Sequence, residues 1–269
     1  MSRRMLLPGV LACLVLIGLT AGAFMNSIQN ALTLPARSPN TTPAQTAPGK
    51  QPAPPTTTSI SPTATPATMV QMPQNILAQD TFQRANQFLW GTASDGRPWG
   101  GDANVQANIF SVHANHGQIM NGNGTFNALL GPPSVPNAEV MLDGSLSHFD
   151  GTANLGVVLR YTDPNNWYKA LIDGKHLILL KHVNAQSTTL ATVAFSAQDD
   201  QSYVMRFRVV GAMLFARVWP TGTTEPTNWM ITAADTSFQT GQAGIRVVLE
   251  PGMTITVTSF AAATASSNI

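Results

Sequence analysis

The chain has 269 residues, of which 43% are apolar and 10% are charged, with a formal net charge of +1. All thirteen acidic residues lie from Asp80 onward together with ten of the Lys and Arg residues, so this part of the chain carries a net charge of −3. A weakly acidic domain with scattered cations lacks the clustered basic surface that neutralises phosphates, which excludes nucleic acid as a partner. The only cysteine, Cys13, precedes this part, which excludes disulfides and Cys-based metal sites there.

The first 24 residues have the pattern of an export segment. Arg3 and Arg4 precede an uncharged stretch over residues 5–24, which ends with the small residues Ala21-Gly22-Ala23. This pattern predicts either a removable signal peptide or a single transmembrane anchor, and the sequence leaves both alternatives open. The positive-inside rule places the following residues outside in both cases. We therefore expect an extracellular protein, secreted or anchored to the outer face of the cytoplasmic membrane.

Residues 25–75 are rich in Pro, Thr, Ala and Ser and contain no acidic residue. Such a segment buries too little apolar surface to offset the entropy lost on ordering, and its prolines favour extended conformations. The composition predicts a disordered linker that acts as a spacer.

From residue 76 to residue 262 the pattern changes to short runs of β-branched and aromatic residues that alternate with polar ones. Four or five short candidate strands precede residue 150. Longer strands are predicted over residues 156–161, 167–173, 176–183, 189–195, 203–211, 213–219, 243–250 and 253–260. Asp173-Gly174 and Gly211-Ala212 each predict a tight hairpin. The fold class expected is all-β, a two-sheet antiparallel jelly-roll sandwich, followed by a disordered tail over residues 263–269.

Several motifs in this region resemble those of one superfamily. They include Asp80-x-Phe82-x-Arg84, Trp90-Gly91, Asn166-Trp167-Tyr168 and Gly241-x-x-Gly244-Ile245-Arg246. Together they resemble bacterial domains of the concanavalin A-like lectin/glucanase superfamily, laminin-G-like in outline. The resemblance implies a curved jelly roll with a concave face, and carbohydrate recognition as a tendency of the superfamily. A shared fold does not by itself carry function.

The resemblance also raises the question of a structural calcium ion. Related domains often place calcium near the paired first and last strands, where Asp80 is a candidate ligand. The last strand reads Thr258-Ser259-Phe260 without an acid, whereas calcium prefers six to eight oxygen ligands that include several carboxylates. We therefore predict no cofactor and leave calcium at Asp80 as an alternative.

Catalysis in this superfamily depends on a strand motif of the form Glu-x-Asp-x-(x)-Glu. The nearest match is Glu139-Val140-Met141-Leu142-Asp143, which has Met at the central acidic position. Residues i and i+4 share a strand face but lie about 13 Å apart, so the two carboxylates converge poorly. We interpret them as solvated strand charges and predict no enzyme activity. His113 and His116 are likewise interpreted as solvated loop residues and not as zinc ligands.

A sugar site needs aromatic rings beside planar hydrogen-bonding groups. The predicted ligand-binding residues are Arg160, Asn166, Tyr168, Trp219, Glu225 and Trp229, and Trp167 is a further candidate. Arg160 is placed first, because it shares a strand face with Gly156 and Val158 and so points onto an open sheet surface. The alternative is that the tryptophans fill the core and that Arg160 pairs with an acid in a turn.

The sequence thus predicts a non-catalytic module at the cell surface whose partner is an extracellular glycan or a cell-wall polymer. Membrane contact is expected only through the N-terminal segment, if it is not removed. Two alternatives stay open. One is a structural or protein-interaction domain, and the other is a glycoside hydrolase.

Overall fold

The computed structural model describes residues 73–266. The export segment predicted over residues 1–24, nearly all of the predicted linker and the last three residues lie outside the described residues. Between residues 73 and 266, no helix has the length and apolar character needed to cross a membrane.

The described residues form sixteen β-strands, numbered in chain order, and one short 3-10 helix at Asp102–Asn104. The strands are β1 Ile76–Asp80, β2 Gln87–Phe88, β3 Gly100–Gly101, β4 Phe110–His113, β5 His116–Met120, β6 Gly124–Leu129, β7 Ala138–Leu146, β8 Leu155–Asp163, β9 Asn166–Ile172, β10 His176–Val183, β11 Gln186–Ala194, β12 Tyr203–Val210, β13 Met213–Pro220, β14 Ile231–Ala234, β15 Gln242–Leu249 and β16 Thr254–Thr264.

The strands form two antiparallel sheets. The nine-stranded sheet has the order β14-β13-β12-β7-β16-β5-β4-β2, with β1 also paired to β16. The seven-stranded sheet has the order β11-β10-β9-β8-β15-β6-β3. Neighbours in the order are often distant in sequence, as with β8 and β15, which is the crossing pattern of a jelly roll.

The predicted all-β sandwich is confirmed. Each of the eight longer strands appears within a few residues of its expected bounds, and both predicted hairpins are present. The sequence did not predict the short strand β14, which follows an irregular loop over residues 221–230. The last strand includes Ala263 and Thr264, which the composition had placed in the tail.

The main core lies between the two sheets, because alternate residues of a strand point to opposite faces. In β9, Tyr168, Ala170 and Ile172 belong to this core. Their neighbours Trp167 and Lys169 lie on the other face of the same strand, outside the sandwich, and are nevertheless buried. The outer face of the seven-stranded sheet is therefore partly covered by its own side chains.

Asp80 anchors the end of β1 from inside the sandwich. Its carboxylate forms an ion pair of 2.7 Å with Arg84 and accepts a 2.7 Å hydrogen bond from Trp99 Nε1. The backbone N–H groups of Phe82 and Ser94 also donate to Asp80 Oδ1. Because these donors surround the carboxylate and one of them is a cation, Asp80 does not fit the calcium ligand considered from the sequence.

We expect Asp80→Asn to lower the free energy of unfolding by about 3 kcal/mol, because Arg84 would lose its buried counter-charge. Urea denaturation of the two proteins measures this difference. The matched control is Asp199→Asn, which removes a carboxylate from an exposed pair with His148 and should lower the free energy of unfolding far less than Asp80→Asn does. Equal losses in the two variants would contradict a stabilising role of the Asp80 network.

Candidate functional site

The six residues predicted to bind ligand do not converge on one surface. Arg160 and Tyr168 are buried, Asn166 begins β9 after the β8–β9 turn, and Trp219, Glu225 and Trp229 lie on or beside β13 of the other sheet. The structure gives several of these residues a scaffold role. Ligand contact by any of them stays a prediction.

Arg160 is 2% exposed and does not point onto an open sheet surface, as the alternation had suggested. It has a φ of 50° in a β-bulge that follows Leu159, and the extra residue changes the face to which its side chain points. Its guanidinium donates hydrogen bonds to the carbonyl oxygens of Pro136, Phe238 and Gly211 at 2.6 to 3.0 Å. Arg160 therefore ties three loops together, through carbonyls and not through an acid in a turn.

Tyr168 lies in the main core and cannot serve as a surface stacking platform in this conformation. Its hydroxyl donates a 2.6 Å hydrogen bond to Asp235, which also forms a 2.5 Å ion pair with Lys181. Burial, followed by the hydrogen bond to Asp235, raises the pKa of Tyr168 to about 12. Asn166 donates to the carboxylate of Asp163 within its own turn.

The other three predicted residues belong to the outer face of the nine-stranded sheet. Trp219 is buried against Met141 and Val204. Glu225 forms ion pairs of 2.8 Å with Arg206 and 2.6 Å with Arg217. Arg217 also lies 4.4 Å above the ring of Trp229, so this surface is closed by contacts between its own side chains.

The two strand acids considered for catalysis lie on this same sheet. Glu139 is 3% exposed and not solvated as predicted, because Arg206 and Arg208 form ion pairs with it at 2.8 and 2.6 Å. Asp143 accepts a 2.7 Å hydrogen bond from Thr221, and burial raises its pKa. Within residues 73–266, no group of three or more His, Cys, Asp or Glu side chains is arranged to hold a metal ion.

A cleft of about 300 Å³ lies on the outer face of the seven-stranded sheet. We call it the Trp167 cleft. Its lining combines apolar and polar side chains from β6, β9, β10, β11 and β15 with Asn154, which directly precedes β8. The lining residues are Thr125, Asn154, Trp167, Lys169, Leu171, Leu180, His182, Ser187, Arg246 and Val248.

A three-layer stack forms part of this cleft. The imidazole of His182 stacks on the ring of Trp167 with centroids 4.6 Å apart and an interplanar angle of 9°. The guanidinium of Arg246 lies 4.4 Å from the centroid of the same ring. His182 comes from β10 and Arg246 from β15, which lie on opposite sides of β9 in the sheet. The indole of Trp167 therefore holds the Arg246 guanidinium and the His182 imidazole in fixed positions. Because these two groups cover its faces, the indole does not itself offer a free face to a ligand.

Lys169 crosses the floor of the cleft over a glycine. A Cβ built on Gly156 would lie 2.5 Å from Lys169 Cε, so only glycine leaves room for this lysine chain as it is placed. Lys169 Nζ donates a 2.6 Å hydrogen bond to Asn154 Oδ1, and the residue is 3% exposed. Burial, and then the positive charge of Arg246, holds the pKa of Lys169 well below the ordinary value of lysine.

Arg246 is oriented by a second contact. Its Nη1 donates to Asn127 Oδ1, and the backbone N–H of Asn127 donates to Asp102 at 2.7 Å. Asp102 is thus linked to Arg246 by the hydrogen bonds of Asn127, without a direct ion pair. The guanidinium is fixed by Asn127 and by Trp167, and it still lines the cleft.

Sequence reasoning named Trp167 as a candidate but missed Lys169, Asn154 and Arg246 as parts of one site. One signal was available, because strict alternation from the core residue Tyr168 places Trp167 and Lys169 on the same outer face. The contribution of Arg246 depends on the pairing of β8 with β15, strands separated by about eighty residues of chain. No local pattern indicates that pairing.

No protein-family model and no curated protein matches the chain. Among solved structures, a mutant of the GH43 protein BlXynB from Bacillus licheniformis matches with a TM-score of 0.51 at 12% identity, over 74% of this chain and 41% of that one. The xylan β-1,4-xylosidase of Bacillus halodurans C-125 matches with a TM-score of 0.50 at 11% identity, over 72% and 40%.

A third similar chain comes from a study described as "Prominent members of the human gut microbiota express endo-acting O-glycanases to initiate mucin breakdown". It matches with a TM-score of 0.51 at 9% identity, over 71% of this chain and all of that one. The alignments span about two fifths of the two Bacillus proteins. At these identities the likeness shows a shared jelly-roll β-sandwich and nothing about activity.

We expect Arg160→Ala to lower the free energy of unfolding by about 3 kcal/mol or more, because the buried Arg160 guanidinium would no longer donate charged hydrogen bonds to three carbonyl groups. Thermal or urea unfolding measures the loss. Lys175→Ala removes an exposed cation from the β9–β10 turn and should change stability by less than about 0.5 kcal/mol. An Arg160→Ala protein as stable as the Lys175→Ala control would contradict the scaffold role of Arg160.

Proposed function

We propose that this chain is a non-catalytic glycan-binding module and that the ligand occupies the Trp167 cleft. The observation that carries the proposal is the composition of the cleft. Apolar side chains and fixed hydrogen-bond donors line one opening on the outer face of a sheet. Specific small-molecule sites have this character, an apolar wall with a few polar groups that determine orientation.

A sugar ring presents an apolar C–H face and an edge of hydroxyl groups. Leu171 and Leu180 supply apolar surface in the cleft, and the half-buried imidazole of His182 supplies an aromatic ring. Arg246 and Lys169 supply donors for hydroxyl oxygens. Because the stack with Trp167 fixes Arg246 and His182 before a ligand arrives, little side-chain entropy is lost on binding.

The lining supports binding without cleavage. None of the described residues that line the Trp167 cleft is Asp or Glu, whereas glycoside hydrolysis ordinarily uses two carboxylates across the scissile bond. The two acids that the sequence suggested for a glycoside hydrolase, Glu139 and Asp143, lie on the other sheet. Glu139 is held by two arginines, and Asp143 accepts a hydrogen bond from Thr221.

The similar solved structures give this proposal a context. By name, one is a xylan β-1,4-xylosidase, and another comes from a study of O-glycanases. The proposal for this chain is limited to binding, since its alignment spans only 40% of the xylosidase. We place the module outside the cytoplasm on the basis of Arg3, Arg4 and the apolar stretch that follows them.

A second candidate function is protein interaction, and one observation favours it. Phe88 is 82% exposed at the edge of the nine-stranded sheet. It lines an open depression of about 500 Å³ together with Val112 and Met120. Exposed apolar surface of this kind often marks a protein contact. Capture of a protein partner that is lost in Phe88→Asp, with no glycan bound, would favour this candidate.

The primary test is binding of the full chain to a broad glycan array, followed by titration of the glycans that bind. We expect Trp167→Ala to weaken binding roughly tenfold to a hundredfold, because Arg246 and His182 lose the ring that positions them. His182→Ala is the milder variant, since its ring is only half-buried, and it should weaken binding in the same direction.

The matched control is Trp229→Ala, which removes a tryptophan that also contacts an arginine but lies beside the other sheet. We expect this variant to bind like the unmodified chain. Loss of binding in Trp229→Ala, with normal binding in His182→Ala and in folded Trp167→Ala, would move the site to the nine-stranded sheet. Failure to bind any glycan on the array would contradict the proposed function.

A further inference from the structure

The cations of the described domain fall into distinct groups. Six of the ten form ion pairs with carboxylates: Arg84, Arg97, Lys181, Arg206, Arg208 and Arg217. Arg160 is satisfied by three carbonyl groups, and Lys175 is exposed to solvent. Within residues 73–266, the remaining two, Lys169 and Arg246, form no direct ion pair with a carboxylate, and both line the Trp167 cleft.

We propose that the glycan bound in the Trp167 cleft carries an anionic substituent, a carboxylate or a sulfate, and that Lys169 and Arg246 bind it. The inference rests on the proposed function and names the class of sugar, an acidic one. The shared chemistry is a delocalised oxyanion with several acceptor oxygens. A uronic acid supplies it as a carboxylate, and a sulfated sugar supplies it as a sulfate ester.

Lys169 is buried at the floor of the cleft. A lysine is almost never fully buried without a partner of opposite charge, because removing the ammonium group from water is costly. Among residues 73–266, Nζ has one hydrogen-bond partner, the neutral amide oxygen of Asn154, and the neighbouring charged group is another cation, Arg246. The surroundings of Lys169 therefore disfavour its charged ammonium form. An anion bound in the cleft would stabilise that form.

The other sheet provides a comparison within the same molecule. Its cleft of about 280 Å³ is also lined by arginines, but Glu139 accepts from Arg206 and Arg208, and Glu225 pairs with Arg217. Those charges are compensated by the protein itself. The Trp167 cleft has donors of the same kind but no carboxylate among its described lining residues, and Asp102 acts on Arg246 only through Asn127, so an anionic ligand can supply a direct counter-charge.

The geometry favours an anion of limited size. Arg246 is held between Asn127 and Trp167, which leaves its other guanidinium nitrogens for a ligand. Lys169 is anchored at Asn154 and retains two further donor hydrogens. The cleft volume of about 300 Å³ accommodates about one or two sugar units, so further units of a polymer would extend along the sheet.

The experiment uses matched pairs of polymers and the full chain. One arm compares a hexuronate polysaccharide with the same polymer after carboxyl reduction, which converts each uronate to a neutral sugar of the same configuration. A second arm compares a sulfated polysaccharide with its desulfated form. We expect the acidic member of at least one pair to bind about tenfold to a hundredfold more tightly than its neutral counterpart.

The variant that tests the assignment is Lys169→Met, which removes the charge and keeps a chain of similar length. We expect it to lose about tenfold or more in affinity for the acidic polymer and to bind the neutral polymer as before. Its melting temperature should equal or exceed that of the unmodified chain, since a buried cation without a counter-ion is replaced by an apolar side chain. Lys175→Met is the control and should change neither quantity.

The outcomes separate the two proposals. Equal binding of the acidic and neutral members in both arms, or full retention of the acidic polymer by folded Lys169→Met, would overturn the anionic inference and leave glycan binding intact. Binding in the sulfate arm alone would support the inference and identify sulfate as the source. No binding of any polymer in either arm, together with an empty glycan array, would overturn both proposals.

Discussion

The organisation of this domain depends on the alternation of side chains along its strands. In the seven-stranded sheet, every second residue is needed to fill the core between the sheets, as Tyr168, Ala170 and Ile172 do in β9. The side chains at the intervening positions therefore point to the outer face, whether they are polar or apolar. Trp167 and Lys169 are therefore placed together on that face, and the Trp167 cleft is a consequence of the core on the opposite side.

The charged side chains on the two outer faces have different partners, and the proposed function rests on this difference. On the nine-stranded sheet, arginines and glutamates form a network of ion pairs with separations of 2.6 to 2.8 Å. The charges on this face are therefore compensated within the protein. On the seven-stranded sheet, Lys169 and Arg246 have neutral amide partners. A buried, self-compensated network is a reasonable scaffold, whereas uncompensated donors beside an opening are typical of a binding site.

Buried charges elsewhere hold the sandwich together. Asp80 ties β1 to the aromatic residues Phe82 and Trp99, and Arg160 joins three loops through their carbonyl groups. In both cases one buried charged group satisfies several polar groups at once, which lowers the cost of its burial. These contacts explain why residues that resembled site residues in the sequence serve the fold.

The sequence by itself determined the fold class, the positions of the longer strands and the two tight hairpins, because hydrophobic alternation and turn residues are local properties. It also contained the alternation that places Trp167 and Lys169 on one face. It did not reveal the bulge that buries Arg160, since a bulge changes the face without changing the composition of the strand. Only the tertiary structure decided that β15 lies beside β8, which brings Arg246 to Trp167 and Lys169. Strand pairing between distant segments depends on the packing of the whole sandwich, so the site assembled by that pairing has no signature in any single stretch of sequence.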